Sequence, residues 1–204
     1  MITIVDYGLG NIRAFLNVYK RLNIAARAVT TAADLHGSTR LILPGVGHFD
    51  HAMELLDASG MRATLDALVL GDNVPVLGVC VGMQMLAGTS DEGARAGLGW
   101  IDGHVRSFRT ADPGALLPLP HMGWNDVTPV TPHGMFDALE IESRFYFLHS
   151  YYFECAHSAD VLAVANYGAE FSCAVHHGNI YGVQFHPEKS LRFGTRLLQN
   201  FAGL

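Results

Sequence analysis

Cys80 is the residue of this sequence best suited to covalent chemistry, because a glycine lies two positions away on each side of it. The segment Gly78-Val79-Cys80-Val81-Gly82 follows an apolar run over residues 74–79 and precedes residues that favour a helix. A nucleophile between two such glycines, at a turn from strand to helix, is typical of a nucleophile elbow. The dipole of the helix favours the reactive thiolate there. Judged alone, a buried structural cysteine is the alternative.

His186 and Glu188 could supply the base that a cysteine nucleophile needs. Pro187 restrains His186 to an extended conformation, and side chains two positions apart on an extended chain point the same way. Glu188 could then hold one ring nitrogen of His186 while the other nitrogen faces the thiol, as in a Cys–His–acid triad. Without Cys80, the pair would be interpreted as a histidine at a strand end with a solvated glutamate nearby. Its combination with Cys80 favours the triad.

Acyl transfer also needs N–H groups that stabilise a developing oxyanion. The backbone N–H of Val81, the residue after the cysteine, is one candidate. The loop Pro44-Gly45-Val46-Gly47 follows another predicted strand, and its glycines allow a backbone N–H to turn towards the site. An ordinary turn between a strand and a helix explains the same loop equally well.

Two further patterns do not support a cofactor or metal site. Gly8-Leu9-Gly10-Asn11 lies between a strand and a helix, but it lacks the third glycine and the acidic residue of a dinucleotide site. The pairs His48 with His51 and His176 with His177 have no acidic or cysteine partner at the spacing of a metal site. We therefore predict no cofactor and no metal.

The elements that must position these residues alternate between strand and helix through the first ninety positions. Strands are predicted over residues 2–5, 26–30, 40–43 and 74–79. Helices are predicted over residues 11–22, 50–58 and 61–70. Continuous apolar strands separated by helices indicate a parallel sheet that is covered on both faces.

The second half of the chain has a different pattern. Strands are predicted over residues 144–153 and 161–165, a hairpin joins 171–177 to 180–185 around Gly178-Asn179, and a helix covers 191–201. We therefore predict an α/β fold in a single domain over residues 1–204. It has a mainly parallel central sheet flanked by helices, with an antiparallel extension.

The composition excludes several functional classes. The 204 residues are 50% hydrophobic and 16% charged, which excludes intrinsic disorder. The net charge of −6 argues against a nucleic-acid-binding protein. Three widely spaced cysteines without a C-x-x-C pair favour a reducing compartment, so we expect a cytoplasmic protein. The longest apolar tract is too short to cross a bilayer, so we expect no membrane association.

Taken together, these residues resemble those of the triad-type (class I) glutamine amidotransferases, whose fold is flavodoxin-like. The resemblance covers almost the whole chain. The cysteine elbow and His-Pro-Glu are shared across that family. The segments Asp6-Tyr7-Gly8-Leu9-Gly10-Asn11, Pro120-His121-Met122-Gly123-Trp124-Asn125 and His186-Pro187-Glu188-Lys189-Ser190 are most similar to the branch that serves imidazole glycerol phosphate synthesis in histidine biosynthesis.

The resemblance implies a role for each matching residue. Those roles are catalysis (Cys80, His186, Glu188), glutamine binding (Gln84, Glu92, and the backbone at Ser150 and Tyr151), the oxyanion hole (Val46, Gly47, Val81) and the partner interface (Asn11, Lys189). A carboxylate such as Glu92 can also pair with the α-ammonium of glutamine on elementary grounds.

The implied function is a glutaminase subunit. It hydrolyses L-glutamine to glutamate and ammonia through a cysteine thioester, and it passes the ammonia to a (β/α)8-barrel cyclase in a heterodimer. A paralogue that supplies ammonia for amidation of a surface-polysaccharide sugar is one alternative. A cysteine hydrolase of peptides or γ-glutamyl compounds is a second alternative. A non-catalytic scaffold subunit is a third, against which the intact triad argues.

Overall fold

A computed structural model of the protein describes residues 1–111, 117–139 and 143–204. The strands in these ranges are β1 (Ile2–Val5), β2 (Ala26–Val29), β3 (Leu41–Gly45), β4 (Val76–Cys80), β5 (Thr89–Ser90), β6 (Gly103–Ser107), β7 (His121–Asp126), β8 (Thr128–Pro129), β9 (Arg144–His149), β10 (Tyr151–Cys155), β11 (Val161–Tyr167), β12 (Ala169–His177) and β13 (Ile180–Val183). The α-helices are α1 (Ile12–Arg21), α2 (Ala32–Leu35), α3 (Phe49–Ala58), α4 (Arg62–Asp66), α5 (Val81–Gln84), α6 (Phe108–Ala111) and α7 (Leu191–Gly203). A π-helical turn over Ala67–Gly71 continues α4. Across the described ranges, none of the helices has both the length and the apolar character needed to span a bilayer.

The central part of the large sheet is parallel, which confirms the prediction. Strands β2, β1, β3, β4 and β13 lie side by side in that order, and each neighbouring pair is parallel. Every residue of β1, β3, β4 and β13 is buried. Because alternate side chains of a strand point to opposite faces, this burial means that both faces are covered.

This topology brings the predicted site residues to one edge of the sheet. Strands β3, β4 and β13 are adjacent and parallel, so their carboxyl ends lie together. Gly47 follows β3, Cys80 ends β4, and His186 follows β13. Ligands of open α/β sheets bind at this edge, so the sheet alone makes it the expected location of a site.

The antiparallel extension begins at the predicted hairpin. Strands β12 and β13 pair antiparallel, with His177 opposite Ile180 across Gly178 and Asn179. Gly178 has a φ of +58°, a conformation that favours glycine in two-residue hairpin turns. Beyond β12 the sheet continues antiparallel through β10 and β6, and β11 pairs with β12.

The prediction of a single strand over residues 144–153 is wrong in one respect, because the structure has two strands there. The chain leaves strand geometry at Ser150, so β9 pairs with β7 in a separate two-stranded sheet, whereas β10 joins the large sheet. Aromatic residues favour strands on both sides of the break, and no local signal shows that the pairing partner changes. The break places Ser150 and Tyr151 beside the carboxyl end of β4.

Candidate active site

Cys80 lies at the tip of a sharp turn from β4 into α5. Its φ of +57° and ψ of −115° are unusual for a residue other than glycine. A Cβ atom on Gly82 would lie 1.9 Å from the Leu43 carbonyl oxygen, and one on Gly78 would lie 2.6 Å from the Gly82 oxygen. Only glycine fits at either position, so the two glycines of the sequence pattern are a packing requirement. Helix α5 has only four residues, so its dipole is smaller than the sequence suggested.

His186 lies between the thiol and a buried carboxylate. Its Nδ1 is 2.9 Å from Oε1 of Glu188, and the two side chains are only 4% and 1% exposed. This leaves Nε2 of the ring for the thiol. Burial alone would lower the pKa of His186, but the hydrogen bonds and charges of Cys80 and Glu188 outweigh it and raise that pKa well above its usual value. The arrangement therefore favours the charged, imidazolium form of His186 beside the sulfur of Cys80.

The backbone of His186 is fixed by β9. The His186 N–H donates to the Tyr146 carbonyl oxygen at 2.8 Å, and the Ser190 hydroxyl donates to the His186 carbonyl oxygen at 2.6 Å. His186 is extended, as predicted, with φ −100° and ψ 94°. Glu188, in contrast, lies in a 3₁₀ turn over Pro187–Lys189 rather than on a continuing strand. The turn brings its carboxylate back to the ring.

A cavity of about 300 Å³ opens at the sulfur of Cys80. Its volume is at the small end of the range of ligand pockets, roughly 300–1,000 Å³. The predicted residues that line it are Val46, Gly47, Cys80, Val81, Gln84, Glu92, Ser150, Tyr151 and His186. Pro120, Leu148 and His149 also line it and were not singled out from the sequence for this cavity.

Glu92 faces the cavity from a loop that α3 holds in place. Its Oε2 accepts a hydrogen bond from the backbone N–H of Phe49 at 2.8 Å. Burial raises the pKa of Glu92, and this N–H bond opposes the effect. The Asp50 carboxylate accepts from the N–H groups of Ala94 and Arg95 at 2.9 and 3.0 Å, which anchors the loop. No local sequence pattern predicts these supports, because the supporting residues lie more than forty positions away.

Gln84 points its amide at two acceptors. Nε2 donates to the Tyr151 carbonyl oxygen at 3.2 Å and to Oε1 of Gln184 at 3.0 Å. Both hydrogens of that nitrogen are used, so Oε1 is the atom of Gln84 left for a ligand. Sequence reasoning missed Gln184, although a polar residue in the otherwise apolar stretch before His186 was a usable signal.

The predicted oxyanion loop lies at the mouth of the cavity. Gly45 packs so closely on the elbow that an added Cβ would lie 2.4 Å from the Gly82 nitrogen. Val46 and Gly47 are exposed, and Gly47 has a φ of +87° with no atom within 4 Å of a Cβ position. The loop is therefore fixed at its base and has free space at Gly47.

Two buried histidines support the wall of the cavity. His149 donates through Nδ1 to the Tyr151 carbonyl oxygen at 2.7 Å, because that oxygen can only accept. Its Nε2 must then accept from Nδ1 of His121 at 2.9 Å, and Nε2 of His121 faces the Asn125 amide at 3.3 Å. Burial lowers the pKa of His149 to about 3 and that of His121 to about 4. Both rings are therefore neutral at pH 7.

Acid is expected to destabilise the fold through this pair. The pKa values of His121 and His149 in the folded state lie below the unfolded value of 6.5. Their contribution to the free energy of unfolding is therefore complete above pH 6.5 and is lost as the pH falls towards 4. The loss approaches about 1.4 kcal/mol per pH unit for each histidine. Urea unfolding between pH 7 and pH 4.5 measures it. His121→Gln should reduce the dependence of the free energy of unfolding on pH, whereas the exposed control His51→Gln should not. Equal pH dependence in the two variants would contradict this explanation.

The two predicted interface residues lie outside the cavity. Asn11 is exposed immediately before α1. Lys189 is exposed beside the triad, with Nζ 5.6 Å from the centre of the Tyr146 ring. Their geometry leaves both accessible to another chain, and their interface role stays a prediction.

His48, His176 and His177, which were considered as metal ligands, have other contacts. His48 accepts the Asp50 N–H through Nδ1 at the start of α3. Nδ1 of His177 lies 3.0 Å from Oδ1 of Asp160, and His176 stacks on Tyr181. Among the described residues, no three His, Cys, Asp or Glu side chains lie together in a way that could hold a metal ion.

Comparison with known proteins identifies the family. The family model described as glutamine amidotransferase class-I matches residues 3–203. The chain belongs to the class-I glutamine amidotransferases. Two relatives of this class-I chain are named imidazole glycerol phosphate synthase subunit HisH. The one from Bdellovibrio bacteriovorus is 61% identical over 99% of both chains, and the one from Leptospira interrogans is 52% identical over 100% of both.

The fold of this class-I chain is also shared with solved structures. A crystal structure of a glutamine amidotransferase matches with a TM-score of 0.76 at 22% identity, covering 100% of this chain and 99% of the other. At this identity the likeness concerns the fold alone. It agrees with the predicted α/β architecture of a parallel sheet with an antiparallel extension.

Proposed function

We propose that this chain is the glutaminase subunit of an imidazole glycerol phosphate synthase, with Cys80, His186 and Glu188 as its catalytic triad. One observation carries the proposal: a thiol, a buried imidazole–carboxylate pair and a second carboxylate, that of Glu92, meet around a cavity of about 300 Å³. The names of the relatives favour the histidine branch of the family.

The reaction begins with the thiolate of Cys80. It attacks the side-chain amide carbon of glutamine, and the resulting oxyanion is stabilised by the N–H of Val81 and an N–H from the Val46–Gly47 loop. His186, charged beside the thiolate, donates its Nε2 proton to the departing nitrogen, which leaves as ammonia. The product at this stage is a glutamyl thioester on Cys80.

Water completes the cycle. Neutral His186 removes a proton from a water molecule, which attacks the thioester carbon and expels the thiolate. Glu188 holds Nδ1 throughout, so Nε2 stays directed at the reacting atoms. The cysteine is regenerated and glutamate leaves.

The substrate is oriented by its α-amino acid group. Glu92 pairs with the α-ammonium, the backbone at Ser150 and Tyr151 binds the α-carboxylate, and Oε1 of Gln84 is available to a substrate N–H. A peptide substrate lacks the free ammonium and carboxylate that these groups select, which favours free glutamine over the peptide-hydrolase alternative.

An exposed apolar surface beside the cavity suits a synthase partner. On the outer face of the β7–β9 ribbon, Met122 and Trp124 are 63% and 43% exposed, and Leu148, opposite Met122, also lines the cavity. Contiguous exposed apolar side chains commonly mark protein interfaces. A partner seated here, with contacts to Lys189 and Asn11, would receive ammonia at the mouth of the site. We propose a cyclase of (β/α)8-barrel type, in a cytoplasmic heterodimer.

Glu92→Gln is expected to raise the KM for glutamine about 10- to 150-fold, the value of a charge-assisted hydrogen bond. The new amide side chain at position 92 keeps an oxygen for the Phe49 N–H but lacks the negative charge that pairs with the α-ammonium of the substrate. Steady-state kinetics measure KM, and alkylation of Cys80 by iodoacetamide should be unchanged. Exposed Glu170→Gln is the control. An unchanged KM would remove Glu92 from the substrate site.

The proposed function is tested by reconstitution with the synthase subunit. Glutamate release and synthase product are measured together, with glutamine, γ-glutamyl compounds and peptides as substrates. We expect hydrolysis of free glutamine only, with one glutamate formed for each product molecule. Preference for peptides, or synthase turnover that never uses glutamine, would overturn the assignment.

A further inference from the structure

Gln184 is a buried amide for which the proposed reaction has no role. It lies directly after β13, two positions before His186, and its side chain is completely buried. Its Nε2 donates to Sγ of Cys80 across 3.8 Å, and its Oε1 accepts from Nε2 of Gln84 at 3.0 Å. Burying an amide costs free energy unless its polar atoms are hydrogen-bonded. Here both ends of the amide are engaged, and one of them faces the nucleophile.

The direction of these hydrogen bonds is fixed by the backbone. The Tyr151 carbonyl oxygen can only accept, so Gln84 must turn Nε2 towards it. The second hydrogen of that nitrogen then reaches Oε1 of Gln184. Only the NH₂ group of Gln184 is left to face the sulfur, so Gln184 presents a donor to Cys80, while the Leu148 carbonyl oxygen accepts from the thiol at 4.0 Å.

We propose that Gln184 is a positioning residue that holds the Cys80 thiolate by donating a hydrogen bond to its sulfur. The proposal rests on the proposed glutaminase function for the reaction, but not for the chemistry of the thiol. A hydrogen bond to an anion is roughly twice as strong as one between neutral groups. The amide therefore favours the thiolate over the thiol and fixes the direction from which the sulfur attacks.

The network also links the nucleophile to the substrate-binding strand. Tyr151 begins β10, and its carbonyl oxygen accepts from both Gln84 and His149. One chain of hydrogen bonds thus connects the sulfur of Cys80, the side chain of Gln84 and the wall of the cavity at His149. Loss of the Gln184 donor acts on the sulfur at the end of that chain, whereas loss of its oxygen acts on Gln84.

Gln184→Glu separates these two effects. Glutamate keeps the size of the side chain and an oxygen for Gln84, but its other oxygen replaces the donor at the sulfur. We expect kcat to fall about 10- to 100-fold, with KM within about twofold of wild type. The pH midpoint for alkylation of Cys80 by iodoacetamide should rise by about one unit or more. The deficit should narrow at low pH, where a protonated glutamate can donate again.

Gln184→Met is the second variant, since methionine has a similar length, no donor and only a weakly accepting sulfur. It should show the same upward shift in the alkylation profile, without recovery at low pH. The control is Gln199→Glu on the exposed side of α7, which should change neither readout. Burial raises the pKa of Cys155 to about 12 and also raises that of Cys173, so alkylation below pH 9 reports on Cys80. Peptide mass spectrometry quantifies it.

The outcomes distinguish this proposal from the proposed function. Turnover is measured on the full chain with its synthase partner, and alkylation on the full chain itself. An alkylation profile and kcat that match wild type in both Gln184 variants would overturn the positioning role, as would a change in KM alone. If wild type forms no glutamate from glutamine, the proposed function fails. The alkylation profiles still decide whether Gln184 holds the thiolate.

Discussion

Replacing Cys80 with alanine is expected to abolish glutamine-dependent synthesis while leaving synthesis from added ammonium salts intact. In the proposed mechanism the sulfur of Cys80 forms the thioester, so its removal should lower glutaminase kcat on the order of 10⁴-fold or more. In the proposed complex, ammonia-dependent synthesis takes place in the partner and does not need the triad. Both rates are measured in the same reconstituted complex.

The control for this variant is another cysteine. Cys155 is half-buried in β10 and lies outside the cavity, so Cys155→Ala should keep both activities. Retained glutamine hydrolysis in Cys80→Ala would falsify the nucleophile assignment. Loss of the ammonia-dependent reaction as well would show that the variant damages the complex rather than the chemistry.

The sequence predicted the parts of the site that depend on local geometry. The elbow around Cys80 was recognisable because its two glycines meet backbone atoms too closely for any side chain. His186 and Glu188 were recognisable because Pro187 between them restricts the chain. The parallel arrangement of the central strands, though not their order, followed from their continuous apolar composition and intervening helices. These constraints act over a few residues and leave a signal in composition and spacing.

The parts that sequence reasoning missed depend on contacts between distant residues. Gln184 meets Gln84 a hundred positions away, and His121 meets His149 across a strand pairing that no local pattern announces. The break at Ser150 has the same origin, since neighbouring residues join different sheets. Polar residues in apolar strands were the available signal, because a buried polar group needs a partner. Their partners could be found only from the fold.

The isolated chain is expected to be a poor glutaminase that its partner activates about 10²- to 10³-fold, the value of one oxyanion donor. Ammonia released to solvent would be protonated and lost as a nucleophile, so hydrolysis is useful only when the synthase is ready. The structure supports the Pro44–Gly47 loop as the element that changes. Its base is held by β3, while Gly47 has free space around it. Rotation of one peptide there would add or remove an inward N–H.

A physical path joins the predicted partner face to this loop. The Tyr7 hydroxyl donates to the Pro44 carbonyl oxygen at 2.8 Å, and an added Cβ on Gly10, next to Asn11, would lie 2.6 Å from Cβ of Pro44. A displacement of the Gly8–Asn11 loop by the partner would therefore act directly on Pro44. Coupling of this kind requires an element with two arrangements that the partner can bias.

Gly47→Ala tests the loop against a matched control. Alanine strongly disfavours the positive φ of Gly47, so the variant should lose most of the activation while Cys80 alkylation stays unchanged. Gly37 also has a positive φ and open space around it, so Gly37→Ala carries the same local strain away from the site. Glutamine hydrolysis is measured for the chain alone, with partner, and with partner plus its ligand. We expect the rate of hydrolysis to rise most in the third condition, and we expect this rise to be lost in Gly47→Ala but kept in Gly37→Ala. Equal turnover of the wild-type chain in all three conditions would contradict partner activation.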